Sequence, residues 1–179
     1  MDIYKHNWTR LQAEIFSLLC LKAERRLSQR EIAKLLKVSP TAISNSLSIL
    51  EKDNLIKIEK VKNINFVMFN RDEKKARELK QLENLKNIYL SGLLDYLEQE
   101  LAGGTMVLFG SYAIGEDTEN SDIDIAVIGR KEKELNIENF EKVFEKEINI
   151  QFYESWKKIH INLRNNILNG IILSGSVEL

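Results

Sequence analysis

A glycine–serine pair closes one apolar run, and ten residues later two aspartates stand at alternate positions in a second. The first run is TMVLF, residues 105–109, followed by Gly110 and Ser111; the second is SDIDIAVI, residues 121–128. Both runs have the length and apolar content of buried strands. Residues two apart on a strand share a face, so Asp122 and Asp124 project together while Ile123, Ile125 and Val127 face a core. Two adjacent carboxylates repel each other unless a cation lies between them. Magnesium suits such a pair because it takes oxygen ligands and also holds substrate phosphates. Gly110 and Ser111 sit where the first strand gives way to a helical turn. Backbone N–H groups there, with the Ser111 hydroxyl, form a cradle for phosphate oxygens. Gly115 ends the turn and residues 116–120 form a polar loop.

This Gly-Ser, ten residues, Asp-x-Asp pattern resembles the signature of the DNA polymerase β-type nucleotidyltransferase superfamily. It is most similar to the small minimal nucleotidyltransferases and the related antibiotic-modifying enzymes, over about residues 85–175. The resemblance implies that Gly110 and Ser111 hold the triphosphate of ATP or another nucleoside triphosphate, and that Asp122 and Asp124 bind Mg2+, with room for two ions. It implies transfer of a nucleoside monophosphate to a hydroxyl acceptor with release of pyrophosphate. The superfamily also places a third carboxylate on a later strand. The matching run here is EINIQFYE, residues 147–154. Ile148, Ile150 and Phe152 alternate inward, which leaves Asn149 and Gln151 where that acid would project. Amides cannot act as general bases and bind metals more weakly than carboxylates. Glu147 and Glu154 are the neighbouring substitutes. Three outcomes remain open: an enzyme, a regulator whose nucleotidyltransferase domain senses nucleotide, and an antitoxin-like modifier of a partner protein. Beyond this strand, Trp156, Ile159, Leu163 and Ile167 fit one face of a closing helix, and residues 171–173 a short strand. His160 reads as a surface or interhelix histidine.

The first part of the chain has a different pattern. Residues 9–25 read as an amphipathic helix with Leu11, Ile15, Leu18 and Leu19 on one face. Ser28, with Glu31 three residues later, makes a capping box ahead of Ile32, Leu35 and Leu36. After a turn at Lys37–Val38, Ser39 caps a third helix with Pro40 at its first position. There Ile43, Leu47 and Leu50 face the core, and Thr41, Ser44, Asn45 and Ser48 form a short polar face. A second short helix with such a face can lie in the major groove of double-stranded DNA. Two strands follow, one with Leu55, Ile56 and Ile58, the next with Ile64, Phe66, Met68 and Phe69, and Lys60–Asn63 as their turn. Lys57, Lys60 and Lys62 on this hairpin are candidate phosphate contacts. The run from Ser28 to Lys60 resembles the winged helix-turn-helix domains of bacterial and archaeal regulators, over roughly residues 10–70.

Charge divides the same way. Residues 1–70 carry 12 Lys and Arg against 7 Asp and Glu, whereas residues 71–179 carry 14 against 20. The expected fold is α+β: a winged helix-turn-helix at 1–70, a connecting helix at 71–84 and a small mixed-sheet nucleotidyltransferase-like domain at 85–179. Residues 71–101 look helical, as one helix or two, because Gly92 interrupts the run. No apolar run reaches the 18 or so residues of a membrane span, and the start, MDIYKHNWTR, lacks the apolar stretch of a signal peptide. One cysteine, Cys20, within the apolar run 15–21, excludes an internal disulfide and a zinc cluster and reads as a buried thiol. The expected location is cytoplasmic, and the expected partners are DNA and nucleotide. A homodimer and a partner protein serving as acceptor are both compatible with the sequence.

Overall fold

A computed structural model describes residues 8–177, which form two compact units divided after Lys80. His6 lies outside the described residues.

In the first unit, α1 (Arg10–Leu21) starts at Thr9, whose side chain accepts from the Gln12 backbone while Gln12 caps Thr9 in return. The helix ends at Leu21 rather than near residue 25. The segment after it turns back so that Leu27–Ser28 form a two-residue strand, β1, paired with Val67 and Phe66. Ser28 then caps α2 (Gln29–Leu36) with the expected reciprocal bond from Glu31. Lys37 takes the left-handed conformation (φ 56°) that ends this helix. Ser39 caps α3 (Pro40–Lys52), whose Ile43, Leu47 and Leu50 are buried. The hairpin is β2 (Ile56–Val61) and β3 (Ile64–Phe69), with Val61 opposite Ile64. Its turn is therefore the pair Lys62–Asn63, and Lys60 belongs to β2. The inward residues are Ile56 and Ile58, opposite Phe69 and Val67. They join Ile15, Phe16, Leu19, Cys20 and the apolar faces of α2 and α3 in one core. Truncating a fully buried member such as Leu47 to Ala would cost about 2–5 kcal/mol.

The expected helical stretch is two helices, α4 (Lys74–Leu90) and α5 (Leu93–Glu100). Between them Gly92 adopts φ +77°, which a side chain would disfavour, and this turns the chain. The unit boundary falls inside α4.

The second unit is built on a four-stranded mixed sheet in the order β6-β5-β4-β7. The strands are β4 (Thr105–Phe109), β5 (Ile123–Ile128), β6 (Ile148–Tyr153) and β7 (Ile171–Ser174). β5 runs antiparallel to β4 and parallel to β6. The short helix α6 (Gly110–Ala113) follows β4, and α7 (Glu138–Phe144) precedes β6. Ile123, Ile125 and Val127 pack with Leu93, Leu97 and Phe144 on one face. On the other face Ala126 and Ile128 pack with Val107, Phe109, Trp156, Ile159 and Ile167. The closing helix is divided: a 3-10 turn at Trp156–Lys158 precedes α8 (Ile161–Leu168). His160 caps α8, its Nδ1 accepting from the Asn162 backbone, so the helix restarts there. Trp156, Ile159, Leu163 and Ile167 still share one core. No helix among the described residues is long and apolar enough to cross a membrane.

Candidate functional site

On β5, positions 124, 126 and 128 share a face. Ala126 and Ile128 are covered by the second core, but Asp124 lies at the strand's start and is only half-buried. Asp122 lies just before the strand and is exposed. Burial raises the pKa of Asp124 above the usual carboxylate value; a hydrogen bond from Asn149 works in the opposite direction, and the nearby charge of Asp122 adds to the rise.

The Gly-Ser turn meets Asp124 directly. Phe109 pairs with Asp124 across β4 and β5, so Gly110 emerges beside the Asp124 carboxylate. Gly110 has φ +74°, and a Cβ built there would come within 2.6 Å of Asp124 Oδ2. Glycine is therefore required twice, for its backbone conformation and for the space. Ser111 follows in α6 and is half-buried.

Asn149 occupies the third position. It is the parallel-register partner of Asp124, and its Nδ2 donates to Asp124 Oδ1 at 3.2 Å. Gln151 lies opposite Ala126 and accepts from the Tyr153 hydroxyl at 2.7 Å, one step further from the acids. Glu154 follows the last residue of β6, at the other end of the sheet from Asp124, and is ion-paired with Lys158. Glu147 precedes β6, and its carbonyl accepts from Ile123 N at 2.9 Å. Among the described residues no three acids, histidines or cysteines are grouped to hold a metal ion. The site has two carboxylates and a neutral amide. Two carboxylates whose charges oppose each other are a donor set that a magnesium ion, an oxygen-seeking cation, would accept.

A buried polar group nearby in the chain carries no mark in the sequence. Asp117 and Lys146 are buried, their side chains 3% exposed and 3.4 Å apart. Asn84 Nδ2 donates to Asp117 Oδ1 at 2.7 Å and to the Tyr112 carbonyl at 2.9 Å. Lys146 also donates to the carbonyls of Thr118 and Ser121. These residues lie far apart in sequence, and Lys146 stands in a strongly charged run, EKVFEKE, that reads as a solvated face.

In the first unit, Thr41, Ser44, Asn45 and Ser48 are all exposed on α3. Lys62 is exposed at the hairpin tip, where its φ is +54°, and Lys60 is exposed on β2. Lys57 is different: it is ion-paired with Asp72, which holds the Asp72 carboxyl below its usual range through a hydrogen bond and the opposite charge. Arg26, in the segment before β1, forms a second ion pair with Glu59 of β2.

Comparison with known proteins agrees with this division. Residues 18–57 match the family described as winged helix-turn-helix DNA-binding. Residues 90–173 match the family described as nucleotidyltransferase domain. The chain therefore carries an N-terminal winged helix-turn-helix followed by a nucleotidyltransferase domain in an α+β architecture. No curated protein matches it. Among solved structures, a mutant of ZitR from Lactococcus lactis aligns with 56% of this chain at 23% identity and a TM-score of 0.41. This chain spans 64% of the length of that structure.

Proposed function

We propose that this protein combines binding of double-stranded DNA by its first unit with magnesium-dependent nucleotidyl transfer by its second. The observation that carries this reading is the fit of Gly110 against Asp124: the Gly-Ser turn lies directly beside a half-buried carboxylate on which the charge of Asp122 also acts. In this reading Asp122 and Asp124 hold Mg2+, and Gly110 and Ser111 hold the triphosphate of ATP or a similar nucleotide. When bound, the ion polarises the phosphoryl oxygens and offsets charge on the leaving pyrophosphate. Ser111 donates its hydroxyl hydrogen to a phosphate oxygen, and the bare Gly110 backbone lets the phosphate approach closely. An acceptor hydroxyl attacks the α-phosphorus, the bond to the β-phosphate oxygen breaks, and pyrophosphate leaves. Asn149 steadies the Asp124 carboxylate but cannot take the acceptor proton, so deprotonation depends on the acceptor itself or on solvent. The transfer is accordingly slow.

That same amide favours a second reading, a transcription regulator that senses nucleotide at this site and transfers little or none. Incubation of the full chain with labelled ATP, Mg2+ or Mn2+, and hydroxyl acceptors including the protein itself separates the two. Label transfer that disappears in Asp122→Ala/Asp124→Ala supports the transferase. DNA binding that changes with nucleotide, without transfer, supports the regulator.

In the first unit, Thr41, Ser44, Asn45 and Ser48 would face base edges in the major groove, and Lys60 and Lys62 would contact phosphates. The four polar side chains are short and uncharged, which favours modest sequence selectivity with a contribution from DNA shape.

A further inference from the structure

We propose that Lys146 is a positioning residue for the metal-binding loop, a role that rests on the nucleotidyltransferase reading above. Its ammonium is buried and binds two carbonyls of one tight turn, those of Thr118 and Ser121. The turn is closed by Ser121 N donating to the Thr118 carbonyl at 3.3 Å and by Thr118 N donating to Ser121 Oγ at 2.9 Å. The Ser121 carbonyl belongs to the peptide that leads into Asp122. Fixing it fixes where Asp122 leaves the loop, one residue before Ile123 is held by the Glu147 carbonyl.

Asp117 balances the buried ammonium at 3.4 Å and receives the amide of Asn84. Through its other hydrogen, Asn84 holds the carbonyl of Tyr112, the residue after Ser111. A single buried node thus ties down both halves of the site: the approach to Asp122 on one side and the phosphate turn on the other. Burying an ammonium and a carboxylate carries a large desolvation cost and is weak evidence for stability as such. A well-packed apolar pair would fill the same volume without that cost. It could not hold two backbone carbonyls at a fixed place beside the metal-binding acids, and this is the function assigned to Lys146.

The test uses the full chain with Lys146→Met and the paired neutral variant Asp117→Asn/Lys146→Met, each checked for folding by circular dichroism. Two quantities are read: the Mn2+ dissociation constant, and amide hydrogen exchange at Thr118, Ser121 and Asp122 against Ile125–Val127. We expect each folded variant to bind Mn2+ at least tenfold more weakly. Exchange at the three loop amides should accelerate by about tenfold or more while the β5 amides keep their rate. The paired variant should recover melting temperature relative to Lys146→Met without recovering Mn2+ affinity. A variant that melts lower yet keeps wild-type affinity and loop exchange would overturn the positioning role. If the wild type itself fails to bind Mn2+, the metal reading falls, and the exchange data decide the positioning role alone. If neither variant folds, wild-type exchange decides: the Thr118 and Ser121 amides should be protected to the level of β5, and exchange at the rate of an open loop would refute the proposal.

Discussion

Asn149 donates its side-chain amide to Asp124 Oδ1 at 3.2 Å from the neighbouring parallel strand, in register with it. In the proposed transferase this relationship places a neutral group where a general base would stand. Asn149→Asp keeps nearly the same shape but replaces the amide that donates to Asp124 with a third carboxylate. General-base catalysis is worth on the order of 10²–10⁴ in rate, so pyrophosphate release with a hydroxyl acceptor should rise by about tenfold or more. Mn2+ affinity should rise with it, and stability without metal should fall as a third negative charge joins the pair. An unchanged rate with increased metal affinity would show that deprotonation is not what limits transfer.

Gly110→Ala tests the turn. The substitution forces a side chain into a left-handed conformation, at a cost of about 1–2 kcal/mol, and drives the Asp124 carboxylate from its place. We expect a lower melting temperature and loss of most Mg2+-dependent nucleotide binding in a protein that still folds. Calorimetric titration with ATP, alongside thermal melting, checks both.

The raised pKa of Asp124 has a defined sign in the stability of the metal-free protein. The folded state holds the Asp124 proton to higher pH than the unfolded chain does. Stability is therefore lost as pH rises from the unfolded carboxylate value, near 3.9, through the raised folded value, and this loss persists at neutral pH. Asp124→Asn keeps an acceptor for Asn149 and removes the charge. It should melt higher than wild type at pH 7, with the difference shrinking toward pH 3.5. Melting curves at the two pH values without divalent ions are the measurement; equal differences at both would assign the effect to packing.

On the hairpin, Lys60 and Lys62 are exposed, whereas Lys57 is held by Asp72. Lys60→Ala and Lys62→Ala should each weaken binding to all duplex sequences alike and reduce the salt slope by about 1. Lys57→Ala should do less, since that ammonium is already partly neutralised. Fluorescence anisotropy at several salt concentrations distinguishes them, and equal losses for all three would mean that the Lys57–Asp72 pair opens on DNA.

What the sequence made legible follows from how locally each signal is encoded. Capping at Ser28 and Ser39 depends on residues three apart, and the burial of Ile123, Ile125 and Val127 on strand alternation, so both could be read directly, although β5 begins only after Asp122. The position of Asn149 followed from the same alternation. The break at His160 was hidden because Trp156, Ile159, Leu163 and Ile167 keep helical spacing through it and still reach one core. Strand β1 is two residues long and exists only through its pairing with β3. Lys146, Asp117 and Asn84 are brought together by the fold from three separate elements, and a lysine amid glutamates carries no local mark of burial.

The central claim is that Asp122 and Asp124, beside Gly110 and Ser111, form a divalent-metal and nucleotide site. Calorimetric titration of ATP into wild type and Asp122→Asn/Asp124→Asn, with and without Mg2+, tests it most directly. The account predicts saturable binding by the wild type that requires Mg2+ and is lost in the double variant. Binding of equal strength in both proteins, or none to the folded wild type with Mg2+ present, would contradict it.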